Sequence, residues 1–173
     1  MLAGLDAQAD ATFAAADDQA AEELARAAWA EVALLDRVRA VRRVVLEVAE
    51  HGPVGGDVLE VGRDVVVLRC DDGEWAVSSW GITAVLGVDE AVVVADSASA
   101  VLGLSAVARA WSRSRSTVRI LRRGSVPLDG TIDAVGADHL DLAEHDPGVP
   151  RRSAEVRRMI AVPLAAITAM RRR

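Results

Sequence analysis

The eight residues at positions 61–68, with the sequence VGRDVVVL, decide the fold because they recur later in the chain as VGADHLDL at positions 135–142. Each copy places a Val-Gly-x-Asp turn before a short apolar segment. Glycine permits the close approach or positive φ that such a turn needs, and the aspartate side chain caps it. We therefore interpret each copy as a tight turn that leads into a β-strand.

A second pair of similar segments follows in the same order. The segment VSSWGITAV at positions 77–85 recurs as VPLAAITAM at positions 162–170. The shift from Val77 to Val162 is longer than the shift from Val61 to Val135, and one insertion between positions 144 and 158 accounts for the difference. Self-similarity in the same order with a single insertion indicates an internal duplication.

The first copy predicts a small β-barrel, not a β-α-β unit, because short strands are separated by turns every few residues. We expect the two units to dock on each other, since each repeat has only about 50 residues and would be marginal alone. The strand at 65–68 is apolar on both faces, so its outer face should also be covered, either by the predicted N-terminal helix described next or by the other barrel. The predicted strands of the first copy are residues 41–48, 56–61, 65–69, 74–78 and 82–88.

The N-terminal region predicts one helix over residues 11–39. It is rich in alanine, lacks Gly and Pro, and repeats apolar residues at steps of three and four, with Leu24 and Trp29 on the apolar stripe. Such a helix needs a surface to pack on. Two interpretations stay open: the helix docks over a barrel end, or it associates with a second copy of itself or with another protein.

The order of one helix and five strands, the Gly-x-Val-x-x-Val-Gly-x-Asp-x-Val-x-Leu rhythm of strands two and three, and the short link at 79–81 resemble the Sm-like small barrels. The resemblance covers residues 41–88 and 117–170. The chain is also similar to a group of uncharacterised actinobacterial proteins with an acidic helix and two such barrels. The resemblance implies a mainly β fold with some α: an N-terminal helix followed by two tandem five-stranded SH3/Sm-like barrels.

The resulting domain prediction has four parts. An acidic N-terminal helix occupies residues 1–40, and the first barrel occupies residues 41–88. A connector with a short helix follows at residues 89–112. The second barrel, with an Arg-rich inserted loop, occupies residues 113–173.

The resemblance also implies RNA binding by the loops after strands two and four of each barrel. Here the loops of the first copy are residues 62–64 and 79–81, and those of the second are residues 136–138 and 164–165. The asparagine that usually contacts a base is absent from all four, and the second copy lacks a stacking aromatic. The family's RNA pocket is therefore not carried over to this chain.

Charge is distributed unevenly along the chain. Residues 1–36 carry eight acids and one Arg, whereas residues 109–173 carry seven acids and thirteen Arg, and no Lys occurs anywhere. A basic half can bind a polyanion, but it can also pair with acids inside the fold. The candidate nucleic-acid-binding residues are Arg113, Arg115, Arg119, Arg122, Arg123, Arg151, Arg152, Arg157, Arg158 and Arg171.

Other residues suggest alternative sites. Trp75 and Trp80 flank the last hairpin of the first copy, where they favour packing or a contact surface for a partner; Leu24 and Trp29 are further interaction candidates. His139, Asp141 and His145 have metal-ligating side chains, although an outward polar strand face is the commoner explanation. Cys70 is the only cysteine, and we expect a small buried thiol.

Sequence motifs of enzymes are absent. A Walker-type phosphate loop needs Lys, and the chain has no Gly-x-Ser-x-Gly, no His-Glu-x-x-His and no Rossmann glycine pattern. No apolar run approaches the roughly 20 residues of a membrane span. We therefore expect a cytoplasmic, non-catalytic protein that needs no cofactor and no metal.

Two functional hypotheses follow from the sequence. In the first, the chain is a regulatory protein that binds nucleic acid, RNA more than DNA, through the Arg-rich second barrel. In the second, it is a protein adaptor or oligomeric scaffold, with the helix at 11–39 or the barrel edges as contact surfaces and no nucleic acid bound.

Overall fold

The computed structural model describes residues 23–24, 29–30, 32–88, 101–147 and 156–172 of the chain. The chain divides into two compact units, Met1–Ala33 and Leu34–Arg173. In the first unit the described residues at 23–24 and 29–30 are helical, and Val32 and Ala33 are not. The backbone N–H of Val32 donates to the carbonyl oxygen of Trp29 at 3.1 Å, a three-residue step typical of a helix end. A single uninterrupted helix over residues 11–39 is therefore wrong at its C-terminal part, and most of the remainder lies outside the described residues.

The second unit contains two α-helices and ten strands among its described residues, together with the 3₁₀ turns Ser79–Gly81 and Leu164–Ala166. Helix α1 is Leu34–Arg39 and helix α2 is Leu104–Ser114. The strands of the first half are β1 Arg43–Val48, β2 Gly52–Val61, β3 Val65–Cys70, β4 Gly73–Ser78 and β5 Ile82–Leu86. The strands of the second half are β6 Thr117–Arg122, β7 Ser125–Val135, β8 His139–Glu144, β9 Arg158–Pro163 and β10 Ile167–Arg172.

All ten strands form one open antiparallel sheet in the order β5-β1-β2-β3-β4-β10-β6-β7-β8-β9. The two halves meet where β4 pairs with β10, from Ala169 opposite Val77 to Arg172 opposite Glu74. We call this ladder the seam. The sequence predicts two barrels that dock on each other, whereas the structure shows two halves that share one sheet.

The two halves have the same strand order and the same register. Val61 lies opposite Val66 in the first half, and their equivalents in the repeat, Val135 and Leu140, lie opposite each other in the second. The predicted turn also repeats: the N–H of Gly62 donates to Val65 O at 2.8 Å, and the N–H of Gly136 donates to His139 O at 2.9 Å. This agreement supports the duplication inferred from the sequence.

Strand β3 contributes to two hydrophobic cores at once, because successive side chains of a strand point to opposite faces. Val65 and Val67 pack in a core with residues of α2 and the second half, and Val66 and Leu68 pack in a core with residues of β1 and β4. All four are buried. The prediction that the outer face of this strand is covered is thus confirmed, and the cover includes α2.

Helix α2 begins against the turn that precedes β3. Its first residue, Leu104, donates its N–H to the Asp64 carboxylate at 2.8 Å, and the N–H of Arg63 donates to Leu102 O at 2.8 Å. The turn carried by the repeated sequence therefore holds the start of the helix that leads into the second half. Among the described residues, no helix combines the length and apolar character that crossing a bilayer requires.

Candidate functional site

Five of the candidate arginines form ion pairs with carboxylates in the described part of the chain. Arg119 makes a two-pronged contact with Asp129, with both nitrogen–oxygen distances at 2.8 Å. These hydrogen bonds raise the pKa of Arg119 above its ordinary value. A guanidinium that already faces a carboxylate offers a polyanion less net positive charge than a free one. The other pairs are Arg115–Asp133, Arg157–Asp146, Arg158–Glu144 and Arg171–Asp72.

Three described candidates have no carboxylate partner among the described residues. Arg113 and Arg123 are exposed at the end of α2 and in the β6–β7 turn, respectively. Arg122 donates to the carbonyl oxygen of Val126 at 2.9 Å. Arg151 and Arg152 lie outside the described residues, so the structure brings together only part of the predicted basic surface.

Trp75 is a buried residue at the seam and does not offer a contact surface. Its indole N–H donates to the Asp72 carboxylate at 2.8 Å, and the guanidinium of Arg171, from β10, lies 5.5 Å from its ring centre. The ring of His51 lies 5.0 Å from that of Trp75. The tryptophan thus joins the two halves, as the packing alternative predicts.

Trp80 also contacts the seam but keeps part of its surface exposed. Its indole N–H donates to Ile167 O at 2.9 Å, and 37% of its surface remains accessible. Leu24 and Trp29, the other interaction candidates, are exposed. Exposure alone does not assign a role to any of these three positions, because single apolar side chains are common on protein surfaces.

Cys70 lines a shallow pocket with His51, Asp71, Asp72 and Trp75. Burial, with the negative charges of Asp72 and Asp71, raises the pKa of the Cys70 thiol to about 11. A thiol with that pKa stays protonated near neutral pH and is a poor nucleophile. Cys70 therefore does not have the lowered pKa that a catalytic cysteine requires.

The histidines considered for a metal site differ in their surroundings. His139 is half-exposed and pairs with Asp138, and the hydrogen bond to Asp138 raises the pKa of His139. His145 is buried, and its Nε2 lies 2.9 Å from the Thr131 hydroxyl. Within the described ranges no three His, Cys, Asp or Glu side chains are grouped in a way that could hold a metal ion.

The two outermost strands have apolar, accessible edges. Strand β5 reads ITAVL and has no charged residue, and strand β9 reads RMIAVP with one charge at its start. Leu86 is 50% exposed and Met159 is 52% exposed. No described residue forms a ladder on the outer side of either strand. Sheet edges are normally blunted with charges, because their unpaired N–H and C=O groups accept strands from other chains.

By the shift that carries Val77 to Val162, β9 is equivalent to β4 and β5 is equivalent to β10. The seam shows how buried β4 and β10 become when they are paired. Residues 75–78 of β4 are all buried, whereas of the equivalent residues 160–163 of β9 only Val162 is buried. Residues 167–170 of β10 are all buried, whereas none of the equivalent residues 82–85 of β5 is. The sequence points to the barrel edges as one contact surface without identifying which strands carry it. The signal that could have identified one of them is the uncharged sequence of β5.

Comparison with known proteins does not assign a family. No protein-family model matches the chain. No curated protein matches it either.

Proposed function

We propose that this chain is a non-catalytic scaffold that joins protein chains by adding strands at the outer edges of β5 and β9. We also propose that each half is an SH3/Sm-like barrel, with the two barrels fused through the seam. The proposed location is the cytoplasm. The observation that carries the scaffold proposal is the pair of apolar sheet edges, which have no pairing strand among the described residues.

Strand addition at an edge is a common mode of protein recognition. The backbone N–H and C=O groups of the edge supply the affinity, and alternate side chains supply the specificity. Here the alternate side chains are apolar, with Leu86 on one edge and Met159 on the other half-exposed. Covering them removes apolar surface from water, which favours association at about 25 cal/mol per Å².

The paired arginines favour this hypothesis over a nucleic-acid interface. Five of the ten candidate arginines are paired with carboxylates, and each such pair lowers the net charge that a phosphate backbone would meet. Arg158 illustrates the point, because its Nε lies 2.6 Å from Glu144 Oε2 on the adjacent strand.

The test is a pull-down from the native cell. It compares the proteins that the chain retains when the outer edge of β9 is intact and when that edge is blocked. Ala161→Pro on β9 removes a backbone donor, and Ala161→Thr at the same position keeps it and serves as the control. We expect a protein partner, the chain itself included, to be retained by the wild type and by Ala161→Thr and lost with Ala161→Pro. Equal retention by all three, or retention of no protein, would exclude edge pairing as the function.

Nucleic-acid binding is the second candidate, favoured by the exposed Arg113 and Arg123. It predicts binding to single-stranded RNA that weakens steeply with salt, because phosphate contacts release counterions. Nuclease treatment in the same pull-down would then remove whatever the chain retains through nucleic acid. The variant Arg113→Gln with Arg123→Gln should weaken RNA binding, whereas Arg115→Gln with Arg119→Gln, at positions already paired with acids, should weaken it less. Binding that is absent, or insensitive to salt, would exclude this candidate.

A further inference from the structure

We infer that the partner at these edges is a second copy of this chain, with β9 of one copy pairing antiparallel to β5 of the next in the register of the seam. This inference rests on the proposed function and names its partner. Its support comes from the internal repeat and from the burial of equivalent strands.

The repeat assigns each outer edge a counterpart inside the molecule. Strand β9 is equivalent to β4, and β5 is equivalent to β10, both by the shift that carries Val77 to Val162. Strands β4 and β10 pair with each other at the seam. The outer edges of one chain therefore present the two complementary sides of a ladder that the chain already forms once, and two copies can repeat it head to tail.

The register follows from the seam. Arg171 lies opposite Trp75 there, and their equivalents are Leu86 and Ile160. The proposed pairs between β5 and β9 of neighbouring chains are Ala84 with Val162, Val85 with Ala161, and Leu86 with Ile160. Gly87, which would follow opposite Met159, lies beyond the end of β5 and has a positive φ of 84°.

The side chains at these positions suit a buried ladder. Met159 and Leu86 are half-exposed, and Ile160 and Val85 are partly exposed. Opposite residues of an antiparallel pair have Cβ atoms about 4.5–5.5 Å apart. In the proposed register Leu86 would therefore contact Ile160, and the apolar edge of each copy would be covered by the other.

The end of the seam next to the 3₁₀ turn Ser79–Gly81 is not reproduced between chains. Inside the chain, the Ser78 hydroxyl donates to the backbone carbonyls of Ile167 and Thr168, and Gly81 allows the Thr168 carbonyl to approach its backbone. The equivalents on the open side are Pro163 and Ala166. The proposed ladder is therefore limited to the three pairs above and should be weaker than the seam.

Pro163 also determines which backbone donors remain on the open edge. The N–H of Leu164 donates inward to Asp138 O at 2.8 Å, and N–H groups alternate sides along an antiparallel strand. The imide nitrogen of Pro163 therefore faces the open edge without a proton, and the outward donors are those of Ala161 and Met159. Ala161→Pro would remove an outward donor without removing a β8–β9 hydrogen bond.

The first measurement is the molar mass of the purified full chain, free of nucleic acid, by light scattering across a concentration series. A single chain has a mass of 18.2 kDa. We expect a mass that rises to multiples of this value with concentration for the wild type and Ala161→Thr. Ala161→Pro should shift the midpoint concentration at least tenfold higher, with an unchanged circular-dichroism spectrum.

The second measurement tests the register with cysteine pairs in a Cys70→Ser background. Leu86→Cys with Ile160→Cys places two thiols opposite each other in a non-hydrogen-bonded pair, and mild oxidation should give covalent multimers. Leu86→Cys with Ala161→Cys is the matched control, because its thiols would lie on opposite faces of the sheet, and it should remain single-chain.

Three results would overturn the inference, and they separate it from the proposed function. Multimers that form without the Leu86–Ile160 cross-link would show self-association in another geometry. The mass of a single chain at every concentration, combined with a different protein retained only by the intact edge, would leave the scaffold function standing with a foreign partner. The same mass with no edge-dependent partner would remove both proposals.

Discussion

Asp64 and Asp138 occupy the same position of the repeated turn but have different surroundings. The carboxylate of Asp64 accepts the N–H of Leu104 at the start of α2, where the helix dipole favours a negative charge. The side chain of Asp138 is almost fully exposed, and its carboxylate pairs with the His139 ring. The same residue type in the same turn thus caps a helix in one half and pairs with an exposed histidine in the other.

We expect Asp64→Ala to destabilise the chain by about 1 kcal/mol, because the first N–H group of α2 loses its acceptor. Asp138→Ala is the matched control at the equivalent turn and should leave the midpoint of unfolding unchanged, since an exposed ion pair contributes little. Urea denaturation followed by circular dichroism measures both. Equal effects of the two substitutions would contradict a capping role for Asp64.

The ionisation of Asp72 should make the stability of the folded chain depend on pH. Burial opposes its ionisation, but hydrogen bonds from Trp75 and Arg171 outweigh that effect and hold the pKa of Asp72 below its ordinary value. A carboxylate with a lowered pKa in the folded state stabilises the fold above its unfolded pKa of about 3.9, and this stabilisation is lost as the pH falls through the folded pKa. The stability that Asp72 contributes should therefore be present at neutral pH and disappear in acid.

The variant Asp72→Asn tests this dependence. It should be less stable than the wild type at pH 7, and the difference should shrink below about pH 4. Asp71→Asn, at the neighbouring exposed carboxylate, should show a smaller difference. The measurement is urea denaturation at both pH values; a difference that is independent of pH would contradict the assignment.

The sequence identifies the turn residues well but not the partners of the arginines. The Gly-x-Asp turns and the buried strand at 65–68 follow from local patterns of glycine, aspartate and valine. The pairing of Arg171 with Asp72 joins residues far apart in the chain. No local pattern encodes such a contact, because it depends on which strands become neighbours.

At the scale of elements, the sequence predicts the strands of the first half closely. The predicted segment 65–69 is β3 Val65–Cys70, and the predicted segment 82–88 is β5 Ile82–Leu86. Strand β2 begins earlier than predicted, at Gly52, because residues 52–55 continue the ladder with β1. The seam has no counterpart among the sequence predictions, since the pairing of β4 with β10 is a long-range contact without a local signal.

Gly81 allows the close approach of the halves at the seam. A Cβ atom at this position would overlap the backbone carbonyl oxygen of Thr168. We expect Gly81→Ala to destabilise the chain by roughly 1–3 kcal/mol, because the overlap is with backbone and cannot be relieved by a rotamer change.

Ala166→Gly at the equivalent position of the second half is the control. It introduces no overlap and should cost about 1 kcal/mol or less. Thermal unfolding followed by circular dichroism compares the two variants. A Gly81→Ala variant as stable as the wild type would show that the seam does not need this approach.

At the scale of the molecule, the two halves share their cores. One core joins Val65, Val67 and Ala76 of the first half to residues of α2 and the second half, and the other includes Leu121 and Ala169 of the second half. The indole N–H of Trp111 also donates to Glu74 across the halves at 3.3 Å. Within the described residues, neither half has a core made of its own side chains alone.

We therefore expect the residues from Leu34 onward to unfold as one cooperative unit. Native-state hydrogen exchange would give the same opening free energy for the slowest amides of β3 and of β8, one strand from each half. The amides of the outer strand β5 are the internal comparison and should exchange faster in the single-chain state. Different opening free energies for the slowest amides of β3 and of β8 would show that the halves unfold independently.

The seam has a consequence for how many open sheet borders each folding unit exposes. A single half on its own would have two open borders, so two separate halves would have four. Joining β4 to β10 uses two of them and leaves two per chain, at opposite ends of the strand order. Because the halves also share their cores, a change that opened this junction would expose buried apolar side chains together with the two restored borders, and we expect such a variant to precipitate at a lower concentration than the wild type.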